Sequence, residues 1–173
     1  MAEVVSYEEP KVWKGAVAGA IAGTVASWVM TRFQVALSGR GLSGSENPQS
    51  NKPVEGRDDA AMKAANETAK VVLDRELTRE EKTEVGGPAA HYALGITAGA
   101  FYGMLRETRH APGGAAFGAE LWVIADQLGL PIAGLSPWPV KTYPVSTNAQ
   151  HFAAHLVYGL TNAFVYSAVR RAL

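Results

Sequence analysis

Long uncharged segments alternate with one polar stretch along this chain. Residues 15–31, 85–105 and 142–169 contain no Lys, Arg, Asp or Glu, and residues 114–130 contain only two acidic side chains. An uncharged apolar segment of about 20 residues is long enough to cross a ~30 Å hydrocarbon core as a helix. The pattern therefore predicts an all-α protein, an integral membrane bundle of four transmembrane helices.

The four predicted spans form one membrane domain over residues 1–173. Their boundaries are residues 13–31, 88–105, 114–130 and 148–169. Between spans one and two, the polar residues 38–87 are predicted to form a partly helical loop outside the membrane, with a surface helix over residues 58–77. The expected inner stripe of that helix is Met62, Ala65, Ala69, Val72 and Leu73. Capping-box spacing from Thr78 to Glu81 predicts the start of another short helix.

The spans also pair as an internal repeat. The pattern Gly-Ala-x-x-Gly-Ala occurs at residues 15–20 and again at residues 114–119. The second and fourth spans each open with a histidine that is followed, eight residues later, by a glycine. Repeated helical units are frequent in membrane folds. The sequence therefore predicts a duplicated two-helix unit, with the polar loop enlarging the first copy.

Composition removes several functional classes. Lys plus Arg and Asp plus Glu total 16 each, so the net charge gives no indication of nucleic-acid binding. Cysteine is absent, which excludes disulfides, thiolate catalysis and metal sites built on cysteine. The acidic first residues lack the basic region of a signal peptide, so the first span is expected to remain as an anchor.

Basic residues beside the spans predict the orientation, because cytoplasmic loops carry an excess of Lys and Arg. The flanks of one side hold Lys11, Lys14, Arg106, Arg109, Arg170 and Arg171. The short loop of the other side has only Lys141. Both termini are therefore predicted to lie in the cytoplasm, and the two larger loops outside it.

Two ridges of glycine predict close helix packing. They consist of Gly15, Gly19 and Gly23 in span one and of Gly95, Gly99 and Gly103 in span two. Small residues at four-residue spacing let helix backbones approach closely in a membrane. Packing within the bundle and packing in a homodimer or larger complex are both compatible with the pattern.

Ionisable side chains inside the spans are the candidate functional residues, since such groups are costly in a bilayer. They are His91, Glu120, Asp126, His151 and His155. In the predicted topology all five lie toward the outer surface, where one pocket would gather them. His151 and His155 are four residues apart and share a helical face.

Four interpretations of this cluster stay open. Imidazole and carboxylate ligands suit a divalent metal. His91 and His151, at equal depth on two helices, suit the two axial ligands of a haem b. Imidazole also titrates near neutral pH, which suits a site that senses or conducts protons. The structural alternative is that the groups bond across the bundle, Asp126 to a histidine and Glu120 to a tyrosine or Asn162.

No motif for nucleotide binding or serine-based hydrolysis is present. We therefore predict a non-enzymatic protein, accessory or structural, or a subunit of a larger membrane complex. Its expected partners are the lipid bilayer and other membrane subunits or a second copy of itself. No nucleic acid and no cofactor are expected, with the metal and the haem as the alternatives above.

Several motifs together resemble a known family. They are Trp13-Lys14-Gly15, His91-Tyr92, Gly114-x-x-x-Gly118, Ala125-Asp126-Gln127, Gly134-Leu135-Ser136, His155-x-x-Tyr158-Gly159 and Arg170-Arg171. This set resembles the YagU-like family of bacterial inner-membrane proteins, over most of the chain outside residues 38–57. The resemblance implies location in the bacterial inner (cytoplasmic) membrane, no known enzymatic activity and a loose association with acid tolerance. It supplies no catalytic residues.

Overall fold

The computed structural model describes residues 11–38, 58–108 and 110–173. Every regular element in these ranges is a helix and none is a strand, so the prediction of an all-α protein is confirmed. The Gly/Ser-rich beginning of the predicted polar loop, residues 39–57, lies outside the described residues, as does Arg109.

Eight α-helices follow one another in the described ranges. They are α1 Val12–Ser38, α2 Asp58–Leu73, α3 Arg79–Glu81, α4 Gly87–Glu107, α5 Gly114–Leu121, α6 Leu130–Ile132, α7 Pro139–Thr142 and α8 Val145–Ala172. Two π-helical stretches, Lys82–Gly86 and Trp122–Gly129, join α3 to α4 and α5 to α6 without a break. Residues 79–107 and 114–132 are therefore each one continuous helical rod.

Two of the helices are long and apolar enough to cross a membrane. By length and composition, these are Val12–Leu37 and Val145–Ala172, which contain the first and fourth predicted spans. The second predicted span lies within α4, and the third within the rod of residues 114–132. Among the described helices, the second and third predicted spans are less apolar than the first and fourth.

The glycine ridges meet where α1 and α4 pack antiparallel. The facing pairs are Gly15 with Gly103, Gly19 with Gly99, and Gly23 with Gly95. A Cβ atom at Gly15 would lie 2.5 Å from the carbonyl oxygen of Gly103, closer than any real side chain allows. The two ridges thus face each other within one chain, and we call this contact the glycine seam.

A second pair of helices packs in the same way. A Cβ atom at Gly114 would lie 2.7 Å from the carbonyl oxygen of Gly159, and one at Gly118 would collide with the backbone of His155. The rod that begins with α5 is therefore antiparallel to α8. Helix α8 also packs against α1, which joins the two hairpins into one bundle.

The bundle core combines small residues from α1 with aromatic rings from the other helices. The tyrosine ring of Tyr102 lies 4.7 Å from Phe117 and 5.9 Å from Tyr166, measured between ring centroids. The buried residues of this core are Ala18, Ala22, Ala26, Met30, Tyr102, Phe117, Ala154, Tyr158 and Tyr166.

Helix α2 ends earlier than the sequence predicts and turns a different face inward. It stops at Leu73, because Asp74 adopts a positive φ of 52°. Val72 and Leu73 of the expected inner stripe are exposed, while Ala69 and the polar Asn66 are buried. The expected stripe was therefore wrong at its carboxyl end.

The short helix after this turn begins where the sequence predicts it. The Thr78 side chain accepts a hydrogen bond from the backbone N–H of Glu81, and the Glu81 carboxylate accepts one from the backbone N–H of Thr78. These reciprocal bonds form the predicted capping box at the start of α3.

Candidate functional site

A π-helical stretch positions the acidic residue of the site. Trp122–Gly129 has wider turns than an α-helix, and both Asp126 and Gln127 are buried within it. Such stretches are rare and frequently occur at functional sites. Two consecutive polar side chains are thus buried in the bundle interior.

His155 of α8 lies beside this carboxylate. Its Nε2 atom is 3.6 Å from Asp126 Oδ1, and the two residues are 5% and 7% exposed, so the pair is shielded from solvent. The other ring nitrogen, Nδ1, donates a hydrogen bond to the carbonyl oxygen of His151 at 2.9 Å. Because a carbonyl oxygen only accepts, the proton of the neutral ring resides on Nδ1. The lone pair of Nε2 is then directed to the Asp126 side.

The structural alternative expects a bond between Asp126 and a histidine; His155 and Asp126 are neighbours, and they form an ion pair only when the imidazole is protonated. The second element was a bond from Glu120 to a tyrosine or to Asn162, and among the described residues Asn162 does not form it. Glu120 is exposed on α5, whereas neither polar atom of the Asn162 side chain has a hydrogen-bond partner among the described residues.

The other two histidines of the predicted cluster are partly buried. His151 lies one turn before His155 on α8, and His91 lies on α4, where its ring meets Tyr92 edge-on at 5.9 Å between centroids. Among the described residues, no three His, Asp or Glu side chains are close enough together to hold a metal ion. The metal and haem interpretations therefore stay predictions from the sequence.

Asn162 is a buried polar residue whose importance the sequence analysis missed. Its side chain is completely buried, one turn beyond Tyr158 on the inner face of α8. Burial of a polar group without a partner costs about 1–3 kcal/mol, and most buried polar groups in proteins are satisfied. Ser27 of α1 is equally buried, and its hydroxyl oxygen lacks a partner in the described chain.

The hydroxyl group of Tyr158 links the two hairpins. It donates a hydrogen bond to the carbonyl oxygen of Gly95 on α4 at 2.5 Å. A Cβ atom at Gly95 would collide with the hydroxyl oxygen of Ser27 and lie 3.5 Å from the Tyr158 ring. Three helices, α1, α4 and α8, therefore meet at this glycine.

A partly buried ion pair ties α4 to α8 at the opposite end of the site. The Arg170 guanidinium donates to Glu107 through Nε at 2.6 Å and through Nη2 at 3.0 Å. The Tyr166 hydroxyl donates to the same carboxylate at 2.8 Å. The Arg170 guanidinium, as the main cause, lowers the pKa of Glu107 below its ordinary value.

A sequence signal for most of these residues exists. Within the uncharged fourth span, polar side chains recur every three or four residues, at His151, His155, Tyr158, Asn162 and Tyr166. That spacing places them on one helical face. Ser27 and Glu107 carry no comparable signal, since their contacts depend on how the helices assemble.

Comparison with known proteins identified no relative of this chain. No family model, no curated protein and no solved structure matches the chain.

Proposed function

We propose that this chain is a small, non-enzymatic integral membrane protein, accessory or structural in role, whose four helical rods cross the bilayer. The observation that carries the proposal is an inverted distribution of side chains. Many large apolar residues face outward, whereas glycine, alanine, polar residues and a small group of aromatic rings fill the interior. So many exposed large apolar side chains are unusual for a monomer in water and are typical of a surface that contacts lipid.

Exposed apolar side chains occur on all four rods. On α1 they recur at three- to four-residue spacing, and Trp13 is 66% exposed. On α8 the Phe164 ring is 77% exposed, and on the third rod Ile124 is 64% exposed. The exposed large apolar residues between the ends of the rods include Trp13, Val17, Ile21, Val25, Trp28, Leu94, Phe101, Val123, Ile124, Leu128, Leu160 and Phe164.

The rod lengths suit a bilayer. Helix α4 has 21 residues, which corresponds to about 31 Å, close to the ~30 Å of a hydrocarbon core. The polar atoms that lower the apolarity of α4 and of the third rod include glycine backbones and side chains that face the interior. For α4, lipid would therefore meet a more apolar surface than the mean hydropathy of the helix suggests, whereas the third rod exposes Glu120.

The distribution of positive charge supports cytoplasmic termini. The Lys14 ammonium group donates to the carbonyl oxygen of Leu173, so the start of α1 adjoins the end of α8. The end of α4 joins them through Glu107 and Arg170. One end of the bundle thus collects the basic flanks of three helices, which by the positive-inside rule is the cytoplasmic end.

Membership in the YagU-like family and location in the bacterial inner membrane remain part of this proposal, and they rest on the sequence resemblance. The internal duplication also belongs to it. Its support is that both hairpins are antiparallel and that glycines of the shared Gly-x-x-x-Gly pattern lie at each helix contact. The proposal of a subunit role is tested by the mass of the protein extracted in mild detergent. A monomer without associated chains contradicts it.

Cysteine labelling tests the membrane proposal directly, because the natural chain contains no cysteine. Three single substitutions each introduce one thiol. Ser146→Cys places it at the outer end of the bundle, Thr108→Cys at the cytoplasmic end, and Ile21→Cys in the middle of the span formed by α1. All three positions are exposed.

An impermeant maleimide added to intact spheroplasts should label Ser146→Cys. It should label Thr108→Cys only after permeabilisation, and Ile21→Cys only after the membrane is dissolved and the protein denatured. Labelling of Ile21→Cys in intact membranes would contradict bilayer immersion. Labelling of Thr108→Cys in intact spheroplasts would reverse the orientation.

The buried pair of His155 and Asp126 favours a second function, linked to protons. An imidazole beside a carboxylate in a membrane interior is a functional candidate by default. When the His155 imidazole is protonated, the nearby Asp126 carboxylate provides the counter-charge.

A further inference from the structure

The inner face of α8 carries polar side chains from one end of the helix to the other. Thr147, His155, Tyr158, Asn162 and Tyr166 are all buried, and His151 is partly buried. We call Thr147, His151, His155, Tyr158, Asn162 and Tyr166 the α8 polar column. With Arg170 at its end, it extends over about 35 Å at 1.5 Å per residue, which exceeds the hydrocarbon core of a bilayer.

Both ends of the column meet polar surroundings. At the cytoplasmic end, Tyr166 donates to Glu107, whose carboxylate is held by Arg170. At the outer end, Thr147 follows Ser146, which is exposed. Polar side chains therefore recur along this face of α8 between the two ends of the bundle.

The middle of the column is polar without being fully bonded. Neither the oxygen nor the nitrogen of the Asn162 amide has a partner in the described part of the chain, although the side chain is completely buried. A column that served only to hold helices together would have its polar atoms paired, since that is what stabilises a buried network. The amide offers both donors and an acceptor for hydrogen-bonded proton carriers.

His155 supplies the group that binds a proton in this column. Its Nδ1–H is fixed by the carbonyl oxygen of His151, so an arriving proton adds to the lone pair of Nε2. The Asp126 carboxylate, 3.6 Å from Nε2, neutralises the imidazolium that forms. Release of the same proton restores the neutral ring, so the cycle consumes no oxidant or other reactant.

From this arrangement we propose that the α8 polar column conducts protons across the bilayer, with His155 as the group that takes up and releases each proton. The inference rests on the proposed membrane-spanning fold. Among the described residues, the titratable or charged groups that face the column include His151, Tyr158, Tyr166 and Arg170 of α8, Asp126 of the π-helical stretch, and Tyr102 and Glu107 of α4.

Proton flux into liposomes tests the proposal. The purified full chain is reconstituted into vesicles that contain a pH-sensitive dye, and an inward proton gradient is imposed with a potassium ionophore present to balance charge. The wild-type protein should acidify the interior faster than protein-free vesicles do. His155→Gln, which keeps a polar side chain but cannot titrate near neutral pH, should return the rate to that of protein-free vesicles.

Two further substitutions address the path itself. Asn162→Leu, which is similar in size but apolar, should abolish the flux, whereas Asn162→Ser should retain it. This pair keeps the proposal testable where His155→Gln does not fold, as judged by circular dichroism. The matched control is His110→Gln, which removes an exposed histidine outside the column and should conduct like the wild type.

The outcomes separate this inference from the proposed fold. A wild-type flux equal to that of protein-free vesicles overturns proton conduction, while cysteine labelling in intact membranes still decides whether the chain spans the bilayer. Full flux in His155→Gln overturns the role of His155. An equal loss in His110→Gln also overturns the proposal, because the effect would not be specific to the column.

Discussion

Replacement of Gly99 by alanine tests whether the glycine seam holds α1 against α4. A Cβ atom at Gly99 would lie 2.7 Å from Gly23 Cα and 2.9 Å from Gly23 N. Carbon atoms in contact normally lie about 3.5–4.0 Å apart, so the helices must separate locally by about 1 Å. No rotamer change relieves this contact, because the atoms on both sides belong to the backbone.

The expected loss follows from two opposing effects. Overpacking of this kind costs about 1–3 kcal/mol, while alanine improves helix propensity by up to about 1 kcal/mol over glycine. We therefore expect Gly99→Ala to lower the free energy of unfolding by about 1–2 kcal/mol. Helicity measured during titration of the detergent-solubilised protein with sodium dodecyl sulfate reports this value.

Two other glycines make the measurement specific. Nothing lies within 4 Å of a Cβ atom at Gly113, so Gly113→Ala should change stability by less than about 1 kcal/mol, the cost of a poorer helix cap. Gly95→Ala meets the Ser27 hydroxyl, a side-chain atom that can rotate away, and should cost less than Gly99→Ala. Unchanged stability in Gly99→Ala, or an equal loss in Gly113→Ala, would refute the reasoning.

Two predictions concern ion pairs. Glu107→Gln should lower the free energy of unfolding by about 1–3 kcal/mol in the same titration, because Arg170 loses its charged partner, whereas Glu120→Gln at an exposed site should have little effect. The Arg75 guanidinium, followed by the Thr78 backbone, lowers the pKa of the Glu81 carboxyl from its ordinary 4.5 to about 2. A lowered pKa in the folded state means that this stabilisation is complete above about pH 4.5 and is lost as the pH falls toward 2. Carboxyl titration by NMR should give a midpoint near 2 that rises in Arg75→Gln; a midpoint of 4.5 in the wild type would contradict the contact.

The sequence predicts the helices well because their signal is local. An uncharged segment of sufficient length predicts a helix regardless of what it packs against, and the capping box at Thr78 is decided within four residues. The predicted fourth span, residues 148–169, lies inside α8 for this reason.

The faces of the helices were harder to predict, because they depend on the partner. In α2 the larger residues Val72 and Leu73 indicated the inner stripe. In the structure, Ala69 is buried and Ala65 is partly buried instead. The reason is the close approach to Gly86, where an added Cβ would already lie 3.0 Å from the Ala65 methyl group. Only small side chains fit at this contact.

The candidate site was partly predictable. His155 and Asp126 were identified because ionisable groups are conspicuous in uncharged segments, and the structure places them together. The π-helical stretch that turns Asp126 inward has no recognisable sequence pattern. Ser27 is an ordinary small residue in α1, and only the assembled bundle shows that it meets Gly95.

Comparison of the two hairpins argues that the His155 and Asp126 pair is not needed for packing. Ser27 lies twelve residues after Gly15, as Asp126 lies twelve after Gly114, and under the proposed duplication Gly95 corresponds to His155. The first hairpin therefore brings a serine and a glycine together where the second brings a carboxylate and an imidazole together. Since the first contact forms without ionisable groups, the second has no structural requirement for them.

The double substitution Asp126→Ser with His155→Gly, which copies the first hairpin into the second, tests this argument. Removal of both partners leaves no buried charge behind, so the loss of stability should be limited to about 3–5 kcal/mol, the cost of an added helical glycine and of the cavity left by the imidazole. Proton flux in vesicles should nevertheless be lost. Asp126→Ser alone provides the comparison: it leaves His155 without its counter-charge and should retain the fold but conduct more slowly than the wild type. A double variant that loses more stability than the glycine and the cavity account for would show that the pair holds the hairpin together. One that folds and conducts fully would show that the column carries protons without it.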